Sequence, residues 1–280
     1  MHQYFAHGLC LRSERLMECC PLPEGGFDAI DITYQPLDST PDKAEFLLSK
    51  KLGKLTLPGI GTFEAHAGRE IVVSGACSRF EPFLLGGPLA MLLTQRGRIC
   101  LKGSSVLVNG KAIGLLGVGA TGKSAIAAAL GLSGCRVLTD NLCTLEFKEG
   151  RPVVSPGTGF QRLWWDTLGL LNLSSPFAEP DQVRRISYPV RGFRTEPVVL
   201  DKLVVLAIST TSSGLRAREL DWIESVPSIM ETTFLPHPSL IQPTFSAVTA
   251  LSKSLKVLSL SWSRGVALNE IVEKVREFSE

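Results

Sequence analysis

Residues 117–124 read GVGATGKS, which fits the pattern G-x-x-x-x-G-K-[ST] of a phosphate-binding loop. Its glycines let main-chain N–H groups turn inward around an anion, because no Cβ stands in the way. A helix that begins at the end of the loop directs its partial positive charge toward the same anion. Lys123 supplies a mobile charge for the β- and γ-phosphates, and the Ser124 hydroxyl can ligate Mg²⁺. The pattern therefore predicts binding of ATP with Mg²⁺ by Gly117, Gly119, Ala120, Thr121, Gly122, Lys123 and Ser124.

A second candidate for phosphate chemistry is Asp140, the last residue of the run CRVLTD. A carboxylate at the end of a strand beside a phosphate-binding loop can hold Mg²⁺, directly or through water. The alternative is an ordinary aspartate that begins a turn with Asn141. Because the loop lies just upstream, we favour the metal role for Asp140, with Ser124 as the other protein ligand.

The segments around the loop predict how these residues are positioned. Residues 99–108 and 111–116 are rich in β-forming residues and flank the Asn-Gly pair 109–110, which is the strongest short signal for a hairpin turn. The loop is followed by the helix-prone run KSAIAAALGL, a break at 133–134 and the strand CRVLTD. Strand, loop, helix and strand in this order predict a parallel β unit with a right-handed crossover.

The C-terminal part of the chain alternates between predicted strands and helices. Its run VALNEIVEKVREF places Ile271, Val275 and Phe278 on one face, as in an amphipathic helix. The other predicted elements are a hairpin joined by Glu149-Gly150, strands at 202–208 and 256–262, and helices around 218–231 and 244–254.

The N-terminal segment is predicted to form a β-rich unit of its own. Residues 27–34 alternate apolar and polar positions, as a half-buried strand does. Residues 60–65 and 70–74 predict two more strands, with Gly68 as the turn between them. The polar stretch 38–54 predicts a loop or a short surface helix.

A helix closes this unit. Pro88 suits the first turn of a helix through LAMLLTQR, and Gly97 suits its end. We therefore divide the chain into a β-rich N-terminal domain, residues 1–95, and a domain with the phosphate-binding loop, residues 96–280.

Composition excludes several classes of protein. Lys and Arg number 29 against 27 Asp and Glu, so the net charge of +2 lacks the basic excess of a general nucleic-acid binder. Hydrophobic residues make up 44% of the 280 positions, which excludes disorder. No run of about 18 uncharged apolar residues is present, so we expect no membrane span. Seven cysteines without a C-x-x-C spacing predict reduced, mostly buried thiols in a cytoplasmic protein.

The run ICLKGSSVLVNGKAIGLLGVGATGKSAIAAAL followed by GCRVLTDN resembles the HPr kinase/phosphorylase superfamily, to which phosphoenolpyruvate carboxykinase is related. The closer resemblance is to the HPr-kinase-like proteins of peptide biosynthesis clusters, including lasso-peptide kinases. It includes the N-terminal YFAHGLCL, the turn SPG at 155–157 and the pair Leu163-Trp164. The resemblance covers most of the chain and is specific over about 98–165, within the usual error of such boundaries.

The resemblance implies an α/β fold: a P-loop kinase domain of the HPr kinase C-terminal/PEP carboxykinase type, with a mixed sheet, preceded by a small β-rich N-terminal layer. It implies ATP- and Mg²⁺-dependent phosphorylation of a serine hydroxyl on a precursor peptide or protein. The expected partners are a nucleotide, a serine-bearing peptide or protein and, because related kinases are often oligomeric, a second copy of the chain.

Two positions depart from the family pattern. The family usually has His where this chain has Lys102, and two acids where it has Asp140-Asn141. Asn cannot accept a proton at neutral pH, so the second acid's role as general base is missing, while Lys102 can neutralise charge on the transferring phosphate. The predicted catalytic residues are thus Asp140, Lys102 and Asn141. Two alternatives stay open: a non-catalytic nucleotide-binding partner or sensor, and a kinase of a small-molecule hydroxyl.

Several other side chains are candidates for binding. Two adjacent tryptophans, Trp164 and Trp165, could stack on adenine, although one of them suits the core better. The histidines His66 and His237 suit a loop or the core, and Cys135 suits packing. Gly157 and Gly159 shape a substrate loop or simply make turns. Four arginines form a cluster along the chain: Arg184, Arg185, Arg191 and Arg194. We expect one of them to clamp phosphate or an acidic peptide. The alternative is that the cluster is a solvated basic loop.

Overall fold

A computed structural model describes residues 1–17, 19–37, 39, 41–75, 80–174, 185–210, 213–234 and 241–280. These residues form two eight-stranded sheets and a two-stranded ribbon, with helices packed against the sheets. Both large sheets contain parallel and antiparallel pairs, which confirms the predicted α/β class with a mixed sheet. None of the helices in the described ranges is long and apolar enough to cross a membrane.

The N-terminal sheet has the strand order β3-β1-β2-β4-β8-β7-β6-β5. The predicted strands near 27–34, 60–65 and 70–74 are present, and Gly68 lies in the turn between the last two with a φ of +71°. The eight strands are β1 (His2–Ala6), β2 (Leu9–Ser13), β3 (Cys20–Pro21), β4 (Asp28–Gln35), β5 (Glu45–Leu48), β6 (Leu52–Leu57), β7 (Gly61–His66) and β8 (Glu70–Ser74).

The prediction of a loop or surface helix over 38–54 is wrong, because β5 and the start of β6 lie there. Glu45 on β5 and Lys54 on β6 form an ion pair of 2.7 Å across this hairpin at the sheet edge. Leu48 points the other way and is buried. Pairing with β7 thus stabilises an extended conformation that the charge pattern alone did not indicate.

Two helices follow this sheet, α1 (Glu81–Leu84) and α2 (Gly87–Gln95). Helix α2 begins beside Pro88 and is followed by Gly97 with a φ of +80°, as predicted. It buries its apolar residues against β6 and β7. The same core cluster contains Cys100 and Leu142 from the second sheet, so the two units share apolar contacts.

The second sheet has the order β10-β9-β12-β13-β16-β18-β17, with β11 paired to β9 and a further parallel pairing between β10 and β16. A separate ribbon is formed by β14 (Phe160–Trp164) and β15 (Arg185–Pro189). The strands of the main sheet are β9 (Ile99–Val108), β10 (Lys111–Leu116), β11 (Arg136–Thr139), β12 (Leu142–Lys148), β13 (Arg151–Ser155), β16 (Val198–Ser209), β17 (Leu215–Leu220) and β18 (Lys256–Ser263).

The predicted strand-loop-helix-strand unit is present as β10, α3 (Lys123–Leu132) and β11. Strands β10 and β11 both run antiparallel to β9, which lies between them, so they are parallel to one another. The β9–β10 hairpin turns at Asn109 and Gly110, whose φ angles of +48° and +79° suit the predicted tight turn. This arrangement brings the loop after β10 and the residues after β11 to one edge of the sheet.

The predicted helix around 218–231 is only partly correct. Residues 215–220 form β17, an edge strand with mostly exposed side chains, and α5 (Trp222–Met230) begins after it. Asp221 ends the strand because its carboxylate accepts a hydrogen bond from Glu224 N at 2.8 Å and caps the helix. The predicted helices α6 (Ile241–Ser254) and α7 (Leu268–Glu277) are present and flank β18. The helix α4 (Trp165–Leu170), which follows the ribbon strand β14, was not predicted.

Helices cover both faces of the second sheet. Helices α3 and α7 share one apolar cluster with β10, and the predicted face of α7 is buried through Ile271 and Val275. Helices α5 and α6 pack on the other face in a second cluster. The edge at which β10 and β16 end, between these two helical layers, is the edge that carries the phosphate-binding loop.

Candidate active site

The phosphate-binding loop joins the end of β10 to the start of α3, and its glycines serve two different purposes. Gly119 and Gly122 have φ angles of +67° and +76°, which side chains with a Cβ rarely adopt. Gly117 instead needs space, because a Cβ there would lie 2.6 Å from Thr121 Oγ1 and 2.9 Å from Leu206 O. The loop is therefore a tight main-chain turn at the N-terminus of a ten-residue helix.

Lys123 folds back over the first half of this loop. Its Nζ donates hydrogen bonds to Gly117 O at 2.8 Å, to Gly119 O at 2.9 Å and to Thr121 Oγ1 at 3.1 Å. Burial lowers the pKa of Lys123 below its usual range; the carboxylate of Asp140 opposes this, while the positive charges of Arg185 and Lys102 add to it. Three charged groups thus lie close enough to act on Lys123 at the loop.

Asp140 is held in one orientation by hydrogen bonds to both carboxylate oxygens. Ser104 Oγ donates to Oδ1 at 2.7 Å, and the main-chain N–H of Arg162 donates to Oδ2 at 2.9 Å. Ser104 is fully buried on β9, and Arg162 lies on β14, where its side chain also donates to Pro82 O. A carboxylate has further lone pairs, so Asp140 can still bind a cation or accept a proton.

The oxygen donors beside the loop fit Mg²⁺ with water and phosphate as its other ligands. The described residues contain no group of three or more His, Cys, Asp or Glu that could hold a metal by themselves. Mg²⁺ commonly takes one or two protein oxygens together with substrate phosphates and waters. Asp140 and the Ser124 hydroxyl are hard oxygen donors of this kind, and they are the residues that would hold the ion.

The other two predicted catalytic residues are Asn141, which lines the same small cavity as Asp140, and Lys102, whose charge acts on Lys123. Asn141 has a φ of +66°, a conformation that Asn and Asp tolerate better than most residues. Lys102 is exposed on β9, and its main-chain N–H donates to Thr232 O at 2.6 Å. Its Nζ lies 6.0 Å from the centre of the Phe234 ring. An exposed ammonium near Lys123 suits charge neutralisation.

His7 is a further residue at the site, one that the sequence pattern did not single out as functional. It forms the turn between β1 and β2 with Gly8, and both have positive φ angles of 52° and 75°. The imidazole is buried, its Nδ1 lies 3.0 Å from Thr144 Oγ1, and its main-chain N–H donates to Pro156 O. Burial, with the nearby charge of Arg98, lowers the pKa of His7 to about 3. A two-residue turn between two apolar strands is the signal that could have located it.

The His7 turn connects the N-terminal sheet to the residues that precede Asp140. Gly157 donates its main-chain N–H to Leu138 O at 2.8 Å, and a Cβ at Gly157 would lie 3.5 Å from Thr139 Cα. His7, Asp140 and Asn141 line the same small cavity of about 30 Å³. The loop after β13 is therefore packed between the hairpin turn and β11.

The other predicted binding residues are distributed unevenly. The Arg185 guanidinium lies 4.9 Å from the centre of the Trp164 ring, and its charge acts on Lys123. Trp165 is 63% exposed, so neither tryptophan belongs to the buried core. The remaining candidates that are described do not meet at the loop: Arg191 and Arg194 are exposed, His66 is half-buried beside Glu64, and Cys135 is half-buried. Arg184 and His237 lie outside the described residues. Gly159 makes a turn with a φ of +82°.

The cysteines of the described ranges are free thiols, and four of them are buried: Cys10, Cys19, Cys100 and Cys143. Burial raises the pKa of Cys100 to about 12 and that of Cys143 to about 11. These thiols are therefore protonated packing residues and not nucleophiles.

Comparison with known proteins adds little to this geometry. No protein-family model matches the chain, and no curated protein matches it. Among solved structures, the chain is similar to the Hpr(Ser) kinase/phosphatase from Coxiella burnetii with a TM-score of 0.34 and 10% sequence identity, over 64% of this chain and 95% of that one. A likeness this slight carries no argument about activity, so the case for the site depends on its own residues.

Proposed function

We propose that the protein is an ATP- and Mg²⁺-dependent kinase that phosphorylates a serine hydroxyl of a peptide or protein, as in the tailoring of lasso-peptide precursors. The observation that carries this proposal is the arrangement of Lys123 over a glycine-rich loop with the oriented carboxylate of Asp140 close by. Phosphoryl transfer depends mainly on positioning and charge stabilisation, and these residues supply both.

Each residue has a distinct task in this proposal. When bound, ATP supplies the phosphoryl group and Mg²⁺ neutralises its developing charge. The loop N–H groups bind phosphate oxygens, and Lys123 exchanges its bonds to loop carbonyls for bonds to phosphate. Asp140 binds the cation through one oxygen and can take the hydroxyl proton on another lone pair. Lys102 adds positive charge at the exposed side of the site.

A second candidate function is a nucleotide-binding partner or sensor without catalysis. Asn141 favours it, because an amide replaces the acid that would act as general base. A kinase of a small-molecule hydroxyl would use the same residues with another acceptor. Transfer of radiolabelled phosphate to peptides, compared with transfer to free serine and sugar alcohols, separates the three functions when nucleotide binding is measured in parallel.

The central test is Lys123→Ala. We expect this variant to lose measurable affinity for ATP in isothermal titration calorimetry, because the charge that meets the β- and γ-phosphates is gone. The matched control is Lys274→Ala, which removes a lysine of α7 that pairs with Glu277 on the surface and leaves affinity unchanged. If Lys123→Ala binds ATP as the unmodified protein does, the phosphate site is misplaced.

A further inference from the structure

A cavity of about 420 Å³ opens beside the phosphate-binding loop, on the side of β16 and α5. Pockets of this size hold small ligands or a few residues of a peptide. Gly117, Val118 and Ala120 of the loop form one wall of this β16–α5 cavity, and residues 205–208 at the end of β16 form another. None of these residues lines the small cavity that contains Asp140. The β16–α5 cavity is thus a separate space that touches the same loop.

The position of Lys123 indicates which end of the phosphate chain faces this cavity. A lysine of this loop type reaches the β- and γ-phosphates. Its ammonium lies at Gly117 O and Gly119 O, over the first residues of the loop. The γ end of the nucleotide is therefore expected at the same residues that line the β16–α5 cavity. The group that receives the phosphate must approach from a space that borders this end.

A second contact connects the cavity to the catalytic side chains. Thr232, in the turn after α5, lines the cavity, and its carbonyl oxygen accepts a hydrogen bond from the main-chain N–H of Lys102 at 2.6 Å. Lys102 in turn acts electrostatically on Lys123. One residue of the cavity lining therefore contacts the strand that carries the exposed lysine.

The lining has an apolar wall and one acidic group. Val118 is 57% exposed and Ile208 is 41% exposed, so both present apolar surface to the cavity. The hydroxyls of Ser228 and Thr232 are already bonded to main-chain oxygens of α5. Glu231 is exposed at the rim of the same lining, so its carboxylate is the charged group available to an incoming chain.

We propose that the β16–α5 cavity binds the phosphate acceptor, a short peptide segment with an apolar side chain next to the serine and a basic residue that meets Glu231. This inference rests on the proposed kinase function. In the transfer, the serine oxygen forms a bond to the γ-phosphorus while the bond to the bridging oxygen breaks. ADP leaves with that electron pair, and the hydroxyl proton leaves to water.

The test fills the cavity and leaves the loop unchanged. Ala207 lines the cavity and is exposed, so Ala207→Trp occupies the space. Ala217→Trp is the matched control, because Ala217 is an exposed strand alanine of the same sheet on β17. Affinities for adenylyl-imidodiphosphate and for inorganic tripolyphosphate are measured for both. We expect Ala207→Trp to keep both affinities within about twofold of those of the unmodified protein, because the residues of the phosphate-binding loop are unchanged. Loss of the nucleotide with retention of tripolyphosphate overturns the inference, because the cavity then holds the nucleoside.

Phosphate transfer from radiolabelled ATP to a positional-scanning library of serine peptides gives the second readout. We expect transfer to peptides with apolar and basic residues near the serine, and a fall of about tenfold or more in Ala207→Trp, as for other changes in pocket shape. Glu231→Lys, a rim variant that keeps the cavity open, should lose the preference for basic residues. Equal transfer by Ala207→Trp, or an unchanged preference in Glu231→Lys, overturns the acceptor site while the kinase function stands. No transfer by the unmodified protein overturns the kinase function itself.

Discussion

Gly117→Ala is the substitution whose effect the geometry of the loop determines most directly. The new Cβ would lie 2.6 Å from Thr121 Oγ1 and 2.9 Å from Leu206 O, whereas ordinary van der Waals contact begins at 3.4 Å. The shortfalls are about 0.8 and 0.5 Å, and the second involves a main-chain oxygen of β16 that cannot turn away. The loop must therefore move by roughly half an ångström or more, at a cost of about 1–3 kcal/mol for overpacking.

A displacement of this size matters for function because the loop binds phosphate through fixed N–H groups. Misplacement of reacting groups by about 1 Å can reduce a rate about 100-fold. We expect Gly117→Ala to weaken binding of adenylyl-imidodiphosphate about tenfold or more in calorimetry, the equivalent of about 1.4 kcal/mol. Circular dichroism should show that the variant is folded, with a lower melting temperature.

Two other glycines supply the controls. A Cβ at Gly119 meets nothing within 4 Å, so Gly119→Ala bears only the strain of its positive φ, about 1–2 kcal/mol. Gly169 in α4 has open space and no such φ, so Gly169→Ala should leave binding unchanged. The expected order of damage is Gly117, then Gly119, then Gly169. Binding by Gly117→Ala within twofold of the unmodified protein would refute the reasoning about space.

Three further predictions concern the groups around Asp140. Asp140→Asn can keep both hydrogen bonds, with its amide N–H donating to Ser104 and its oxygen accepting from Arg162 N. The melting temperature should therefore stay the same, while phosphate transfer falls at least 100-fold. A rate near that of the unmodified protein contradicts the role of the carboxylate. Asn141→Asp should fold normally, since both Asn and Asp tolerate the observed φ. If the missing base limits transfer, the substitution should raise the single-turnover rate of phosphate transfer about 100-fold. An unchanged rate means that the missing base does not limit transfer. The folded state holds His7 neutral with a pKa of about 3, while the unfolded chain binds a proton near pH 6.5. The free energy of unfolding should therefore be highest above pH 6.5 and fall by about 1.4 kcal/mol per pH unit as the pH drops toward 3. Urea titrations at several pH values should show a flatter slope for His7→Asn, and an equal slope would place the effect elsewhere.

Local sequence signals predicted much of the second sheet and its loop. The Asn109-Gly110 turn, the strand-loop-helix-strand unit and the buried face of α7 follow from turn chemistry and hydrophobic period, which act over a few residues. The strands β5 and β6 did not follow, because their extended conformation depends on backbone partners that β7 supplies to β6 and β6 supplies to β5. The division at residue 95 and the lasso-peptide substrate stay predictions.

The candidate site shows the same division between local and long-range information. The sequence alone determined that a glycine-rich loop with Lys123 and Ser124 precedes a helix, since spacing within eight residues is enough to specify an anion-binding turn. Only the tertiary structure decided that Ser104 and Arg162 orient Asp140, that the His7 turn packs beside it, and that the β16–α5 cavity adjoins the loop. These partners are separated by 22 to 137 residues along the chain. Contacts over such separations depend on how sheets and helices pack, and no local pattern records them.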